Sequence, residues 1–252
     1  MGNVQCTPRW GSIRETFREP LLRFVEHVRT RLGDHLGSIT VVGSALTDDF
    51  RPGVSDINTV VVLDEHSVSA LKAIASLARP MRRHGFSAPL LMTTSYIERS
   101  RDVFGIEFLD LQLTHETILG DDPFVGIEID KPDVRLQCER ELKAMLVRLR
   151  QGWIAAAGDM RFVRDILVAT ARGLTPLLRA LLWLRDITRP TTMAATVREA
   201  ADRFRVILDP VLAAEKWRHE KSRPSDADIE STFVGIVGVV DRLATILDEM
   251  EV

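Results

Sequence analysis

The chain has 252 residues and a formal net charge of −3 at neutral pH, so no overall positive field draws it towards nucleic acid. Its hydrophobic (45%) and charged (27%) fractions are ordinary for a water-soluble globular protein of one large or two small domains. Cys6 and Cys138 form no Cys-x-x-Cys pair, which argues against a disulfide framework or a thiolate zinc site. The sequence shows neither a secretory signal nor a charge-free membrane-spanning run, and we expect a cytoplasmic protein without a membrane partner.

The spacing of apolar residues predicts alternating helices and strands in the first half of the chain. Runs rich in β-branched residues indicate buried strands, and apolar residues three or four positions apart indicate helices. In chain order, the predicted elements are a helix at 12–31, strands at 39–42 and 57–63, a helix at 68–83, a strand at 90–93, a short helix at 96–102 and a strand at 106–113.

After about residue 130 the strand-like runs stop and helical spacing takes over. The predicted helices are one that contains residues 142–153 and four more at 162–185, 194–208, 211–220 and 226–250. Proline-containing loops at 189–192 and 223–226 separate several of them. We therefore predict an α+β fold, with a mixed sheet flanked by helices in a domain over 1–130 and an all-helical domain over 131–252.

The most informative stretch is 41–63, VVGSALTDDFRPGVSDINTVVVL. Gly43 ends a strand and lets the backbone approach a ligand, and Ser44 stands where the strand meets a short helical segment and can hold a phosphate. Asp56 and Asn58 are two residues apart at the start of the next strand, so their side chains share a face. Two oxygen ligands on one face suit a Mg²⁺ ion that also binds a triphosphate.

This stretch resembles the Gly-Ser … Asp-x-Asp signature of the DNA-polymerase-β-like nucleotidyltransferase superfamily. The residues Gly-Ser-Ala … Arg-Pro-x-x-Ser-Asp-Ile are most similar to those of aminoglycoside adenylyltransferases and related small transferases. The resemblance covers about residues 39–63. It implies a Mg²⁺-dependent enzyme that transfers a nucleoside monophosphate, expected to be AMP, from a nucleoside triphosphate to an acceptor hydroxyl and releases pyrophosphate.

The resemblance also assigns residues, with one departure from the family pattern. Gly43 and Ser44 would bind the nucleotide, and Asp56 would be both catalytic and a metal ligand. Asn58 stands where the family has a second carboxylate, so this metal ligand would supply one negative charge fewer. The family's third acid, a metal ligand and catalytic group on a later strand, would be Asp110 or Glu107. We favour Asp110, because with Gln112 it makes a polar end on the predicted strand at 106–113.

These features leave two functions open. The first is the nucleotidyltransferase, with a nucleotide and an unidentified hydroxyl acceptor as its partners. The second is a degenerate protein of the same fold that binds a nucleotide or a partner without turnover, which the neutral Asn58 side chain favours. The six histidines show no metal-ligand spacing, and His115, which follows the last predicted strand closely, is the first of them to consider.

Overall fold

A computed structural model describes residues 8–218 and 224–250, and the chain divides into two compact units. The first unit contains the described residues up to Arg101 together with Phe108–Glu128. The second contains Asp102–Glu107 and the described residues from Ile129 onward. The main division thus falls between residues 128 and 129, and the short segment Asp102–Glu107 groups with the later part of the chain.

The first unit is built on a four-stranded mixed sheet, as predicted. Its elements are α1 (Glu15–Leu32), β1 (Leu36–Val42), β2 (Asn58–Leu63), α2 (Val68–Ala75), α3 (Ala78–Arg83), β3 (Leu90–Thr93), α4 (Thr94–Arg99), the second part of α5 (Gly105–Leu113) and β4 (His115–Leu119). The strand order is β3-β2-β1-β4. The central strand β1 is antiparallel to β2 and β4, whereas β3 runs parallel to β2.

The core of this unit lies on one face of the sheet, where α1, α2 and α3 pack. Val41 and Ile57 belong to this core together with Val28 of α1. The burial of each such side chain contributes about 1.5–3 kcal/mol. The helix predicted at 68–83 is in fact two helices, because Pro80 has no N–H to continue the hydrogen-bond ladder of α2 and lies instead in the first turn of α3.

The strand predicted at 106–113 is wrong, because these residues form helix α5. The apolar pattern of this short segment fits either period, and the first turn of the helix is bound by a residue distant in sequence. Gln137 is buried, its Oε1 accepts a hydrogen bond from the Ile106 N–H (3.0 Å), and its Nε2 donates one to Glu107 (2.7 Å). The fourth strand of the sheet is β4, which follows α5 directly.

The described part of the second unit contains helices and no strand, which confirms the predicted all-helical half. Besides the first turn of α5, its helices are α6 (Lys131–Ala156), α7 (Met160–Leu184), α8 (Met193–Phe204), α9 (Asp209–Lys216) and α10 (Asp226–Asp248). The last two residues of the helix predicted at 211–220 lie outside the described residues. Among the described helices, α7 alone is long and apolar enough to cross a membrane, yet 56% of its most apolar window is buried, as in the central helix of a bundle.

The buried amide of Gln137 gives a testable prediction. Gln137→Ala leaves the Ile106 N–H and the Glu107 carboxylate without this partner, so we expect the free energy of unfolding to fall by about 1–3 kcal/mol in urea denaturation. Gln151→Ala, at an exposed position of the same helix α6, is the matched control and should change stability little. Equal losses in the two variants would contradict the role given to Gln137.

Candidate functional site

The ends of the strands collect polar residues at one edge of the sheet. Val42, the last residue of β1, pairs with Asn58 on one side and with His115 on the other. Directly paired residues of antiparallel strands point to the same face, so these three side chains form a row on the face opposite the α1–α3 core. On the same face, the hydroxyls of Thr40 and Thr117 hydrogen-bond to each other at 2.9 Å.

The Gly-Ser turn follows this row directly. Gly43 has φ +74°, a left-handed conformation that favours glycine, and its N–H donates to the Thr114 carbonyl oxygen at 3.0 Å. The helical segment expected after it is a single 3-10 turn, Gly43–Leu46. Ser44 is half-buried in this turn and its carbonyl oxygen accepts from the Thr47 N–H at 3.0 Å. The Ser44 N–H is among the first amides of the turn, which have no partner within it.

Asp56 and Asn58 are exposed, and Ile57 between them is buried in the core. This alternation agrees with the shared face expected from their spacing. The Asn58 Oδ1 accepts a hydrogen bond from the Ser87 hydroxyl at 2.7 Å. A β-carbon built on Gly43 would lie 3.8 Å from Asn58 Nδ2, so the amide borders the Gly-Ser turn.

Sequence reasoning did not find Ser87. It stands before β3, where Ile57 and Phe86 form an isolated parallel bridge and the Ser87 N–H donates to the Ile57 carbonyl oxygen at 3.3 Å. Only this pairing of distant segments brings its hydroxyl to Asn58. The segment 86–93 beside β2 reads FSAPLLMT and contains no acidic residue.

The two candidates for a third acid are both on α5, not on a strand. Glu107 belongs to the second unit and binds Gln137 there. Asp110 is half-buried in the first unit, and its carbonyl oxygen accepts from the Thr114 N–H at 3.2 Å. The Thr114 carbonyl oxygen in turn accepts from the Gly43 N–H. Two main-chain hydrogen bonds, both through Thr114, therefore connect Asp110 with the Gly-Ser turn. Within residues 8–218 and 224–250, no three His, Cys, Asp or Glu side chains are grouped to hold a metal ion.

His115 takes part in a partly buried hydrogen-bond network. Its Nε2 lies 2.9 Å from Asp122 Oδ2, and its Nδ1 lies 3.2 Å from the Gln112 carbonyl oxygen. Both ring nitrogens thus lie within hydrogen-bond distance of a protein oxygen. The other Asp122 oxygen accepts from the Phe124 N–H at 2.9 Å. This pair therefore holds residues 122–124 against the start of β4.

Cys138, in the second unit, is buried within α6. Burial, followed by the negative charges of Glu107 and Glu141, raises the pKa of its thiol to about 12. The thiol of Cys138 is therefore protonated at neutral pH. Cys6 lies outside the described residues.

The mixed four-stranded sheet with flanking helices, followed by a helical unit, is consistent with the α+β nucleotidyltransferase fold. The chain is similar in structure to the spectinomycin adenyltransferase AAD(9) from Enterococcus faecialis, solved with ATP and spectinomycin. The TM-score is 0.57 at 12% sequence identity, over 89% of this chain and 99% of that chain. This likeness establishes the fold. No protein-family model matches the sequence, and no curated protein matches it either.

The two histidine–aspartate pairs of the first unit give a matched comparison. His115 is paired with Asp122 and its side chain is 18% exposed, whereas His35 is paired with Asp64 and is 65% exposed. His115→Gln should lower the free energy of unfolding by roughly 1–2 kcal/mol, because it disrupts a partly buried, charge-assisted network. His35→Gln should cost clearly less, because solvent screens an exposed pair. Chemical denaturation measures both, and an equal effect would contradict the structural role of His115.

Proposed function

We propose that this protein is a Mg²⁺-dependent nucleotidyltransferase that moves AMP from ATP onto the hydroxyl of an acceptor still to be identified. The observation that carries the proposal is that Asn58 borders the Gly43-Ser44 turn, while Asp56, two residues before it in the chain, is exposed. The fold supports it, since the similar adenyltransferase was solved with ATP. The sequence resemblance over residues 39–63 is independent support.

In this proposal the triphosphate lies against the Gly-Ser turn. Among the described residues, Asn58 Nδ2 is the one atom from outside the immediate chain neighbours within 4 Å of where a Gly43 side chain would begin. The space beside Gly43 is therefore open to a ligand. The Ser44 hydroxyl and the first amides of the 3-10 turn supply hydrogen-bond donors for phosphate oxygens.

The residues at this edge suit a single Mg²⁺ ion. Asp56 presents an exposed carboxylate, and Mg²⁺ in such sites is held by one or two carboxylates with substrate phosphates and water. Bound there, the ion would neutralise phosphate charge. Asp56 would be its principal protein ligand. The three metal ligands expected from the sequence, Asp56, Asn58 and Asp110, are thus reduced in this proposal to the Asp56 carboxylate, with the neutral amide of Asn58 two residues further along the chain.

The proposed transfer forms one bond and breaks another. The acceptor oxygen bonds to the α-phosphorus, the bond between that phosphorus and the α–β bridging oxygen breaks, and pyrophosphate leaves. The acceptor hydroxyl must lose a proton, and we propose Asp110 as the general base, since its main chain lies two hydrogen bonds from Gly43. Spectinomycin, bound by the similar enzyme, is the first acceptor to test.

One observation favours a second function, nucleotide binding without turnover. The segment 86–93 has no acid, and Asn58 supplies an amide in place of a second carboxylate. A site with a single carboxylate at the sheet edge has less charge to hold metal ions in a transition state. Such a protein would bind a nucleoside triphosphate and release no pyrophosphate.

Calorimetric titration of ATP, GTP, CTP and UTP, with and without Mg²⁺, together with an assay for pyrophosphate, tests both functions. We expect ATP to bind and Asp56→Ala to weaken Mg²⁺-dependent binding at least about tenfold, which corresponds to about 1.4 kcal/mol. Asp48→Ala removes a fully exposed carboxylate near the same turn and should have no effect. Binding without pyrophosphate in the presence of candidate acceptors favours the second function, and no binding of any triphosphate excludes both.

The backbone of the turn gives a further prediction. Gly43→Ala and Gly126→Ala each place a β-carbon on a residue with φ near +75°, so both should lower the free energy of unfolding by about 1 kcal/mol. Only Gly43→Ala also adds a methyl group to the space beside Asn58. Only this variant should therefore bind ATP less tightly, by about fivefold or more, which corresponds to about 1 kcal/mol of binding free energy. Equal ATP affinity in the two variants would show that the nucleotide does not bind at this turn.

A further inference from the structure

We infer that Asn58 binds the nucleotide directly, by donating a hydrogen bond from its side-chain amide to a phosphate oxygen, and that it is not a metal ligand. Ser87 is the positioning residue that sets this orientation. The inference rests on the proposed function for its ligand, a nucleoside triphosphate, but it assigns position 58 a different chemistry from that of the second carboxylate it replaces.

The orientation of Asn58 follows from the two ends of its amide. The Ser87 hydroxyl donates to Oδ1 at 2.7 Å, a short and strong hydrogen bond. The same hydroxyl is 3.5 Å from the Ala88 carbonyl oxygen, too far to compete for its single proton. The Oδ1 atom is therefore engaged on the side of β3. The NH₂ group, at the other end of the planar amide, faces the Gly-Ser turn.

The surroundings of that NH₂ group are those of a ligand site. It lies 3.8 Å from the point where a Gly43 β-carbon would stand, beside space that glycine leaves open. In the described part of the chain, no hydrogen bond from Nδ2 to a protein acceptor is found. Asn58 is exposed, so water satisfies this donor until a ligand replaces it.

A donor at this position is chemically suited to phosphate. An amide N–H attracts an anionic oxygen, and hydrogen bonds to charged groups are about twice as strong as those between neutral groups. A carboxylate at position 58 would instead repel both the phosphate and Asp56 unless a metal ion lay between them. Asn58 thus allows part of the phosphate binding to be independent of metal.

Calorimetric titration of ATP, in excess EDTA and in excess Mg²⁺, tests the inference on wild type and Asn58→Ala. We expect Asn58→Ala to weaken ATP binding by about tenfold or more under both conditions, since a direct hydrogen bond to a charged group does not need the metal. Adenosine, which has no phosphate, should bind both proteins equally. Gln151→Ala, which removes an exposed amide on α6, is the control for loss of an amide elsewhere.

Substitutions of Ser87 provide a second and independent test of the inference. Ser87→Ala frees Oδ1, so the amide can rotate, and ATP affinity should fall several-fold in EDTA as well as in Mg²⁺. Ser87→Thr keeps the hydroxyl and should restore the wild-type affinity. If Oδ1 were a metal ligand, Ser87→Ala would leave ATP binding in EDTA unchanged and would tighten it in Mg²⁺.

The other outcomes are equally decisive. A loss in Asn58→Ala that occurs only with Mg²⁺ would make Asn58 a metal ligand and overturn the inference. Unchanged affinity under both conditions would overturn it too, as would wild-type binding that requires Mg²⁺ altogether. If wild type binds no triphosphate under either condition, the proposed function itself fails. If wild type binds ATP and the variants bind it equally well, only the inference about Asn58 fails.

Discussion

The register of β1 determines the candidate site, because this strand pairs with neighbours on both sides and ends where their polar residues begin. Val42 stands opposite Asn58 on β2 and His115 on β4. A shift of one residue in either pairing would turn the partner strand's side chains to the other face. Ile57 would then leave the core and Asn58 would enter it, so the burial of the apolar face keeps the polar residues at the open edge.

The left-handed turn after β1 depends on the same register. Gly43 leaves the strand with φ +74°, and its N–H is engaged by the Thr114 carbonyl oxygen just before β4. The turn is therefore tied to β4 on one side and borders Asn58 of β2 on the other. A site held in this way by the strands themselves is more rigid than one carried on a free loop, which favours the orientation of a small, charged ligand.

The sequence was sufficient for those parts of the fold that depend on local patterns. The strands at β1, β2 and β3 and the helical second half follow from apolar periodicity and turn residues. The segment 106–113 was misassigned because its eight residues fit both periods, and Gln137, about thirty positions away in sequence, stabilises the helix by binding its first turn. The contact of Ser87 with Asn58 is not predictable from local patterns either, since only pairing between distant segments brings the two residues together.

In the proposed function, an amide at position 58 in place of the second carboxylate of the family that the sequence resembles can be understood from the charges at the sheet edge. Two carboxylates about 4 Å apart repel by roughly 4 kcal/mol at an effective dielectric constant of 20, and a triphosphate adds further negative charge. Metal ions between them relieve this repulsion, so an acidic pair depends on metal. A neutral amide in place of one acid removes the repulsion and adds a donor. Its Oδ1 is engaged by Ser87, so the amide cannot turn freely to offer its oxygen to an ion. Asn58 and Ser87 therefore act as one unit in the proposed site, in which the Ser87 hydroxyl would determine which end of the amide a ligand meets.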